Sequence, residues 1–224
     1  MGRLEIVGQG RTADVYALPG GTDGAGTGAG TGERVLRRYR DGGDTTREAR
    51  IMTELAGRGY PVPAVHRAEG PDLVMERLAG PSLLDALLAG TYAPEPAGLL
   101  IADLLTRLHA LPGTPHVHLD LHPGNVVLTA RGPVVIDWQT AEQGPPPGLD
   151  CAVSALVLAE VAVSPAPYAP GARAALTTLL PALRSPLLPH LPTARTRRAT
   201  DPALTPEEVT ALDAAEALVR ELAS

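Results

Sequence analysis

His118-Leu119-Asp120-Leu121-His122-Pro123-Gly124-Asn125, followed by Val134-Val135-Ile136-Asp137-Trp138, is the stretch on which the reading of this chain turns. An Asp and an Asn five positions apart in a tight loop, then an Asp just after a short strand, form an arrangement suited to phosphoryl transfer. Asp120 is placed to orient a substrate hydroxyl or amine and accept its proton. Asn125 and Asp137 offer the oxygen ligands that Mg²⁺ prefers. Val126–Leu128 and Val134–Ile136 read as strands around a Thr129–Gly132 turn, which sets Asn125 and Asp137 at neighbouring hairpin ends, within reach of one metal. Asn125 is also the single Asn of the chain.

Working outward, the first third is β-rich. Leu4–Val7, Ala13–Leu18, Glu33–Arg40, Val62–Arg67 and Asp72–Leu78 read as strands. Asp44–Arg58 has helical spacing at Ile51, Met52 and Leu55, with Asp44 or Thr45 as cap. Gly20–Gly32, with seven Gly, reads as a flexible loop. The remainder is helical: Pro81–Leu88, Glu95–Leu111, Leu149–Val163, Ala172–Leu183 and Pro206–Leu222, the last with Thr205 or Pro206 opening an acidic first turn. Ser185–Pro202, rich in Pro and Arg, reads as a loop. The expected fold is α+β in two lobes, an antiparallel sheet with one helix over 1–78 and a mainly helical part over 79–224, hinged near Glu76–Gly80.

The motifs H-L-D-L-H-P-G-N and I-D-W resemble the aminoglycoside phosphotransferase and choline kinase branch of the protein-kinase-like superfamily. The resemblance covers roughly residues 4–160. It implies a two-lobed kinase-like fold and a Mg²⁺-dependent phosphotransferase moving the γ-phosphate of ATP or GTP to a small-molecule hydroxyl. Asp120 would be catalytic, Asn125 and Asp137 the metal ligands, and His118 and Asp150 supports of the catalytic loop. Asp150 reads by itself as a helix N-cap, and both roles are compatible. Val7-Gly8-Gln9-Gly10-Arg11-Thr12-Ala13-Asp14-Val15 resembles the Gly-rich loop whose backbone approaches a triphosphate, with Ala13 where a third Gly is usual. Val35 would cover the base. Met75 and Arg77 lie on the strand whose backbone would meet the purine edge.

Relatives carry a Lys on the third strand to grip the α- and β-phosphates. This chain has none, because all 19 basic residues are Arg. Strand alternation puts Val35 and Arg37 on one face, and the resemblance implies a cation two residues beyond the apolar residue over the base, so Arg37 fits the role better than Arg38, and Arg38 and Arg40 read as a solvated face. Glu48 would orient Arg37 through an ion pair, with Glu54 the competing choice. His122 either contacts substrate or shapes the turn, His109 reads as structural, and Trp138 as packing. Leu119 stands where many relatives carry Gly. A protein kinase fits poorly, since no Arg follows His118, no Phe-Gly follows Asp137 and no Ala-Pro-Glu motif is present. The rival reading is a nucleotide-binding pseudokinase with a sensing or scaffolding role, suggested by Arg37, Ala13 and a short acceptor region.

Composition narrows the field further. Without Lys there can be no Schiff-base chemistry and no P-loop. One cysteine, Cys151, makes no internal disulfide and no zinc framework, which suits a reducing cytoplasm. The N-terminus lacks the apolar run of a signal peptide, so a cytoplasmic location is expected. The longest apolar run, Cys151–Val163, is too short to cross a bilayer and reads as a buried helix, so no membrane partner is expected. The 19 Arg against 25 acidic residues give −6. That balance points away from nucleic acid and is compatible with a cationic acceptor. Glu207, Glu208, Asp213 and Glu216 read as a solvated helix face, with an acidic substrate wall as the alternative.

Overall fold

The computed structural model describes residues 5–10, 12–18, 33–201 and 204–224. The expected Gly20–Gly32 loop, together with Leu4 and Arg11, lies outside them. Contacts divide the chain into two units: residues up to Gly80 with Thr129–Gln139, and Pro81–Leu128 with Thr140–Ser224. The expectation of a single cut at 78/79 had grouped Thr129–Gln139 with the later residues.

The first unit is built on a five-stranded antiparallel sheet. Its strands are β1 (Ile6–Gln9), β2 (Ala13–Leu18), β3 (Arg34–Tyr39), β4 (Val65–Glu69) and β5 (Asp72–Glu76), in the order β1-β2-β3-β5-β4. Alternation along β3 buries Val35, Arg37 and Tyr39 on one face and leaves Arg38 exposed on the other. Among the described residues of this unit the one α-helix, α1 (Thr46–Gly57), buries Ile51, Met52 and Leu55 at helical spacing. Asp44 Oδ1 accepts from the Thr46 backbone N–H at 2.9 Å, and the Thr45 hydroxyl instead donates to the Gly70 and Asp72 carbonyls. Of the two cap candidates, Asp44 therefore supplies the side-chain bond.

The second unit holds α2 (Leu83–Leu88), α3 (Pro94–His109), α4 (Pro147–Ala162), α5 (Ala169–Ala182), α6 (Leu191–Ala199) and α7 (Pro206–Leu222), with β6 (His116–Val117) paired to β9 (Glu142–Gln143). Cys151 to Leu156 are all buried, so α4 is covered on every side by α5, α6 and α7, as a helix without a polar face must be. α3 and α5 approach closely at Gly98, where a Cβ would stand 2.1 Å from the Ala175 carbonyl oxygen. Ser82 and Thr205 each form a capping box, with Asp85 and Glu208 respectively.

The expected Ser185–Pro202 loop is corrected here: a 3₁₀ turn at Leu188–His190 leads into α6. Pro192 sits in the first turn, where its missing N–H costs nothing, and only Leu191 and Ala194 are buried. So short an apolar stripe gives little periodic signal. The chain passes from the second unit into the first within β7 (Val126–Thr129) and continues into β8 (Gly132–Val135). Among the described residues, no helix is long and apolar enough to cross a membrane.

Candidate active site

In the first unit, strand register gathers the expected nucleotide residues. Gly8 stands opposite Val15, Val15 opposite Arg37, and Val35 opposite Met75. Opposed residues share a face, as do residues two apart, so Gly8, Val15, Val35, Arg37 and Met75 line one side of the sheet. The Gly10 N–H donates to the Ala13 carbonyl at 2.9 Å, closing the β1–β2 turn. Arg40 Nη2 donates to the Gly10 carbonyl at 3.0 Å and to Asp14 Oδ1 at 2.6 Å. Arg40 thus braces the Gly-rich turn, a job that its reading as a merely solvated residue missed. Arg38 does face solvent, paired with Asp72. Arg77 is exposed; its backbone N–H donates to the Glu33 carbonyl at 2.9 Å and its side chain pairs with Glu33.

Arg37 is the centre of this half. Its Nη1 donates to Glu48 Oε1 at 2.6 Å and its Nη2 to Asp137 Oδ1 at 2.6 Å. Burial by itself would lower its pKa, but the carboxylates of Asp137 and Glu48 outweigh that effect and hold it above the usual value. Burial pushes the Glu48 carboxyl up, against the pull of Arg37. Glu48 Oε1 also accepts the Trp138 backbone N–H at 3.1 Å, and Oε2 accepts the Tyr39 hydroxyl. Glu54, the competing acidic residue, instead pairs with Arg50 along its own helix. Asp137 adopts a left-handed backbone, φ 63°, which Asp tolerates better than most residues. The next residue, Trp138, anchors it: fully buried, edge-on to Tyr60 at 5.7 Å, its indole N–H donating to the Val135 carbonyl at 3.0 Å.

The second unit holds the catalytic-loop motif. Asp150 lies inside the first turn of α4, whose N-cap is Pro146, so the N-cap reading of Asp150 is corrected. It is fully buried and binds the loop directly: Oδ1 accepts the Leu119 N–H at 2.7 Å and Oδ2 the His118 N–H at 2.9 Å. His109 Nε2 lies 2.9 Å from the same Oδ2, which gives that helical histidine a structural partner. Leu119 has φ 62°, the conformation in which Gly is unstrained. A non-glycine residue there costs about 1–2 kcal/mol, offset by the bond to Asp150 and by burial of the leucine side chain. His118 is itself buried, and its carbonyl accepts the Thr140 hydroxyl at 2.8 Å.

Asp120 is partly exposed, 29% for its side chain. Asn125 Nδ2 donates to the Asp120 carbonyl at 2.9 Å and lies 3.4 Å from its Oδ2. His122 Nδ1 accepts the Gly124 N–H at 3.0 Å, so this ring shapes the turn. Its Nε2 is 3.8 Å from Asp120 Oδ2. Arg198 of α6, tied to both Glu160 oxygens at 2.9 Å, feels the charge of Asp120. On α7, Glu208 serves the capping box, Asp213 pairs with Arg195, and Glu216 with Arg195 and Arg220.

Asn125 spends its amide N–H on the Asp120 carbonyl, which leaves its side-chain carbonyl oxygen as an acceptor. Asp137 spends Oδ1 on Arg37, and its Oδ2 has no hydrogen-bond partner among the described residues. No cluster of three His, Cys, Asp or Glu suited to a metal occurs among the described residues.

The model of the phosphotransferase enzyme family, APH, matches residues 4–116 and 115–185. Among curated proteins no relative matches. Solved structures share the fold. An ethanolamine kinase of Plasmodium vivax is 11% identical at a TM-score of 0.65, over 98% of this chain and 84% of that one. The aminoglycoside phosphotransferase APH(4)-Ia is 14% identical at a TM-score of 0.65, over 99% and 93%. A thermostable mutant of that enzyme, in ternary complex with AMP-PNP and hygromycin B, is 14% identical at 0.63, over 98% and 92%. With the family model spanning most of its length, the chain belongs to the phosphotransferase enzyme family, and it shares its fold with the ethanolamine kinase and aminoglycoside phosphotransferase structures.

Proposed function

We propose that the chain transfers the γ-phosphate of ATP or GTP to a hydroxyl of a small molecule, with Asp120 as the catalytic residue. The observation that carries this reading is the ion chain Glu48–Arg37–Asp137, both links 2.6 Å, on the sheet face that also bears Gly8, Val15 and Val35. A buried cation held between two carboxylates is costly to build for stability alone. It suits a site that receives a polyanion.

In this reading Gly8 and Gly10 bring backbone N–H groups to the triphosphate, and Val15 and Val35 flank the base. The backbone at Met75 and Arg77 meets the purine edge. Arg37 grips the phosphates, held in place by Glu48. Asp120 accepts a hydrogen bond from the acceptor hydroxyl, directs that oxygen for in-line attack and takes up its proton. His118 and Asp150 keep the loop in shape. Asn125 and Asp137 are the proposed ligands of Mg²⁺, which when bound neutralises charge on the phosphate oxygens. Most of the rate enhancement then comes from positioning and charge stabilisation.

The proposed acceptor is a hydroxyl-bearing small molecule, and the net charge of −6 suits a cationic one. The test is ATP and GTP consumption with Mg²⁺ against a panel of amino alcohols, sugars and antibiotics, including ethanolamine and hygromycin B. Acceptor-dependent consumption with a phosphorylated product supports the reading. Nucleotide binding with neither transfer nor hydrolysis favours the pseudokinase instead, for which the observation is that Arg37, in place of Lys, already occupies Asp137 Oδ1.

A further inference from the structure

We propose that Tyr39 is a positioning residue of the nucleotide site, the one that holds the Arg37 guanidinium in its orientation. The inference rests on the phosphate-gripping role proposed for Arg37. Tyr39 lies two residues beyond Arg37 on β3 and shares its buried face. It meets the ion chain twice. Its hydroxyl donates to Glu48 Oε2, while Arg37 and the Trp138 N–H share Oε1. Its ring lies 5.2 Å from the Arg37 guanidinium carbon. Burial pushes the phenol pKa well up, with the Glu48 charge adding to it, so Tyr39 stays protonated and donates throughout the physiological range.

Each contact answers a need that arginine brings. A guanidinium is flat and wide, and it holds an orientation only when its plane is supported and its fork is engaged at more than one point. The tyrosine ring supplies a surface that attracts the cation. The hydroxyl fixes the rotation of the Glu48 carboxylate, so that Oε1 alone faces Arg37. With Nη1 on Glu48, Nη2 is aimed at Asp137 Oδ1, 2.6 Å away. A lysine ammonium, compact and freely rotating, needs neither device.

The test separates the two contacts. Tyr39→Phe keeps the ring and removes the hydroxyl; Tyr39→Leu removes both. The readouts are Kd for AMP-PNP with Mg²⁺ by calorimetry, the melting temperature, and the KM values for nucleotide and acceptor. Tyr39→Phe is expected to raise the nucleotide Kd by about 3–10-fold, the worth of one buried hydrogen bond. Tyr39→Leu is expected to raise it further, with the acceptor KM unmoved in both. In a Glu48→Gln background, Tyr39→Phe is expected to add little, because it acts through Glu48. A parent Kd in Tyr39→Phe overturns the proposal, even if Tyr39→Leu fails to fold. So does full additivity with Glu48→Gln, or a lowered melting temperature at unchanged Kd, which marks a merely structural residue. If the parent itself binds no nucleotide, the phosphotransferase reading falls, and this inference with it.

Discussion

Glu48→Ala cuts the ion chain at its best-buried member. Glu48 is 4% exposed and accepts from Arg37 Nη1, the Trp138 N–H and the Tyr39 hydroxyl. Removing one partner of a buried pair costs about 3–5 kcal/mol, because the surviving charge stays desolvated. Arg37 keeps Asp137, which limits that part of the loss. The stranded Trp138 and Tyr39 donors add to it, though not additively, so about 3–5 kcal/mol stands as the whole effect. At roughly 2–4 °C per kcal/mol for a chain of this size, the melting temperature drops by about 6–20 °C. Glu48→Gln keeps an oxygen for Arg37 and Trp138 but loses the charge and the acceptor for the Tyr39 hydroxyl, at about 1–3 kcal/mol. Calorimetric melting at neutral pH, paired with nucleotide titration, reads both variants. A Glu48→Ala protein that melts like the parent and binds nucleotide equally well refutes the claim that Glu48 holds Arg37.

Two further predictions concern stability. Gly98→Ala forces a methyl group against the Ala175 carbonyl at 2.1 Å and Thr178 Oγ1 at 2.3 Å, pushing α3 from α5. Overpacking of this kind costs about 1–3 kcal/mol, more than alanine's helix preference returns; a melting temperature at or above the parent's contradicts that packing. Partial burial by itself would raise the Glu76 carboxyl, but Arg131 and the Ala64 N–H together outweigh it and hold Glu76 below its ordinary value of 4.5. Its contribution is therefore complete above pH 4.5 and is lost as pH falls through the lower folded value. Because Arg131 is half exposed, the contribution is about 0.2–1 kcal/mol. Glu76→Gln should destabilise at pH 7 and converge with the parent at low pH, and a constant difference across that range would argue against the pair.

How far the residues announced this architecture differs from place to place. The Asp120–Asn125 loop and Asp137 stood out because phosphoryl transfer demands those oxygen donors at that spacing. Arg37 followed from the family resemblance together with strand alternation, the rule that should also have drawn attention to Tyr39 two residues on. Tyr39 escaped because a tyrosine facing inward looks like core until its hydroxyl is seen on Glu48. The Leu119 conformation was invisible, since leucine gives no cue for φ 62°; its cause is Asp150, distant in sequence. α6 was hidden by Pro192 and its arginines, which suggest a loop unless that proline is placed in the first turn. Arg40 resembled any exposed strand residue, yet its guanidinium holds the Gly10 carbonyl.

The central claim is that Asp120 orients and deprotonates an acceptor on a phosphate-transferring enzyme. The most direct measurement compares Asp120→Ala with the parent in two assays: phosphate transfer to the acceptor found in the panel, and AMP-PNP titration. The expected result is a fall in kcat of about 10²–10⁴-fold, with the nucleotide Kd within about threefold of the parent. Equal turnover in the two proteins would contradict it.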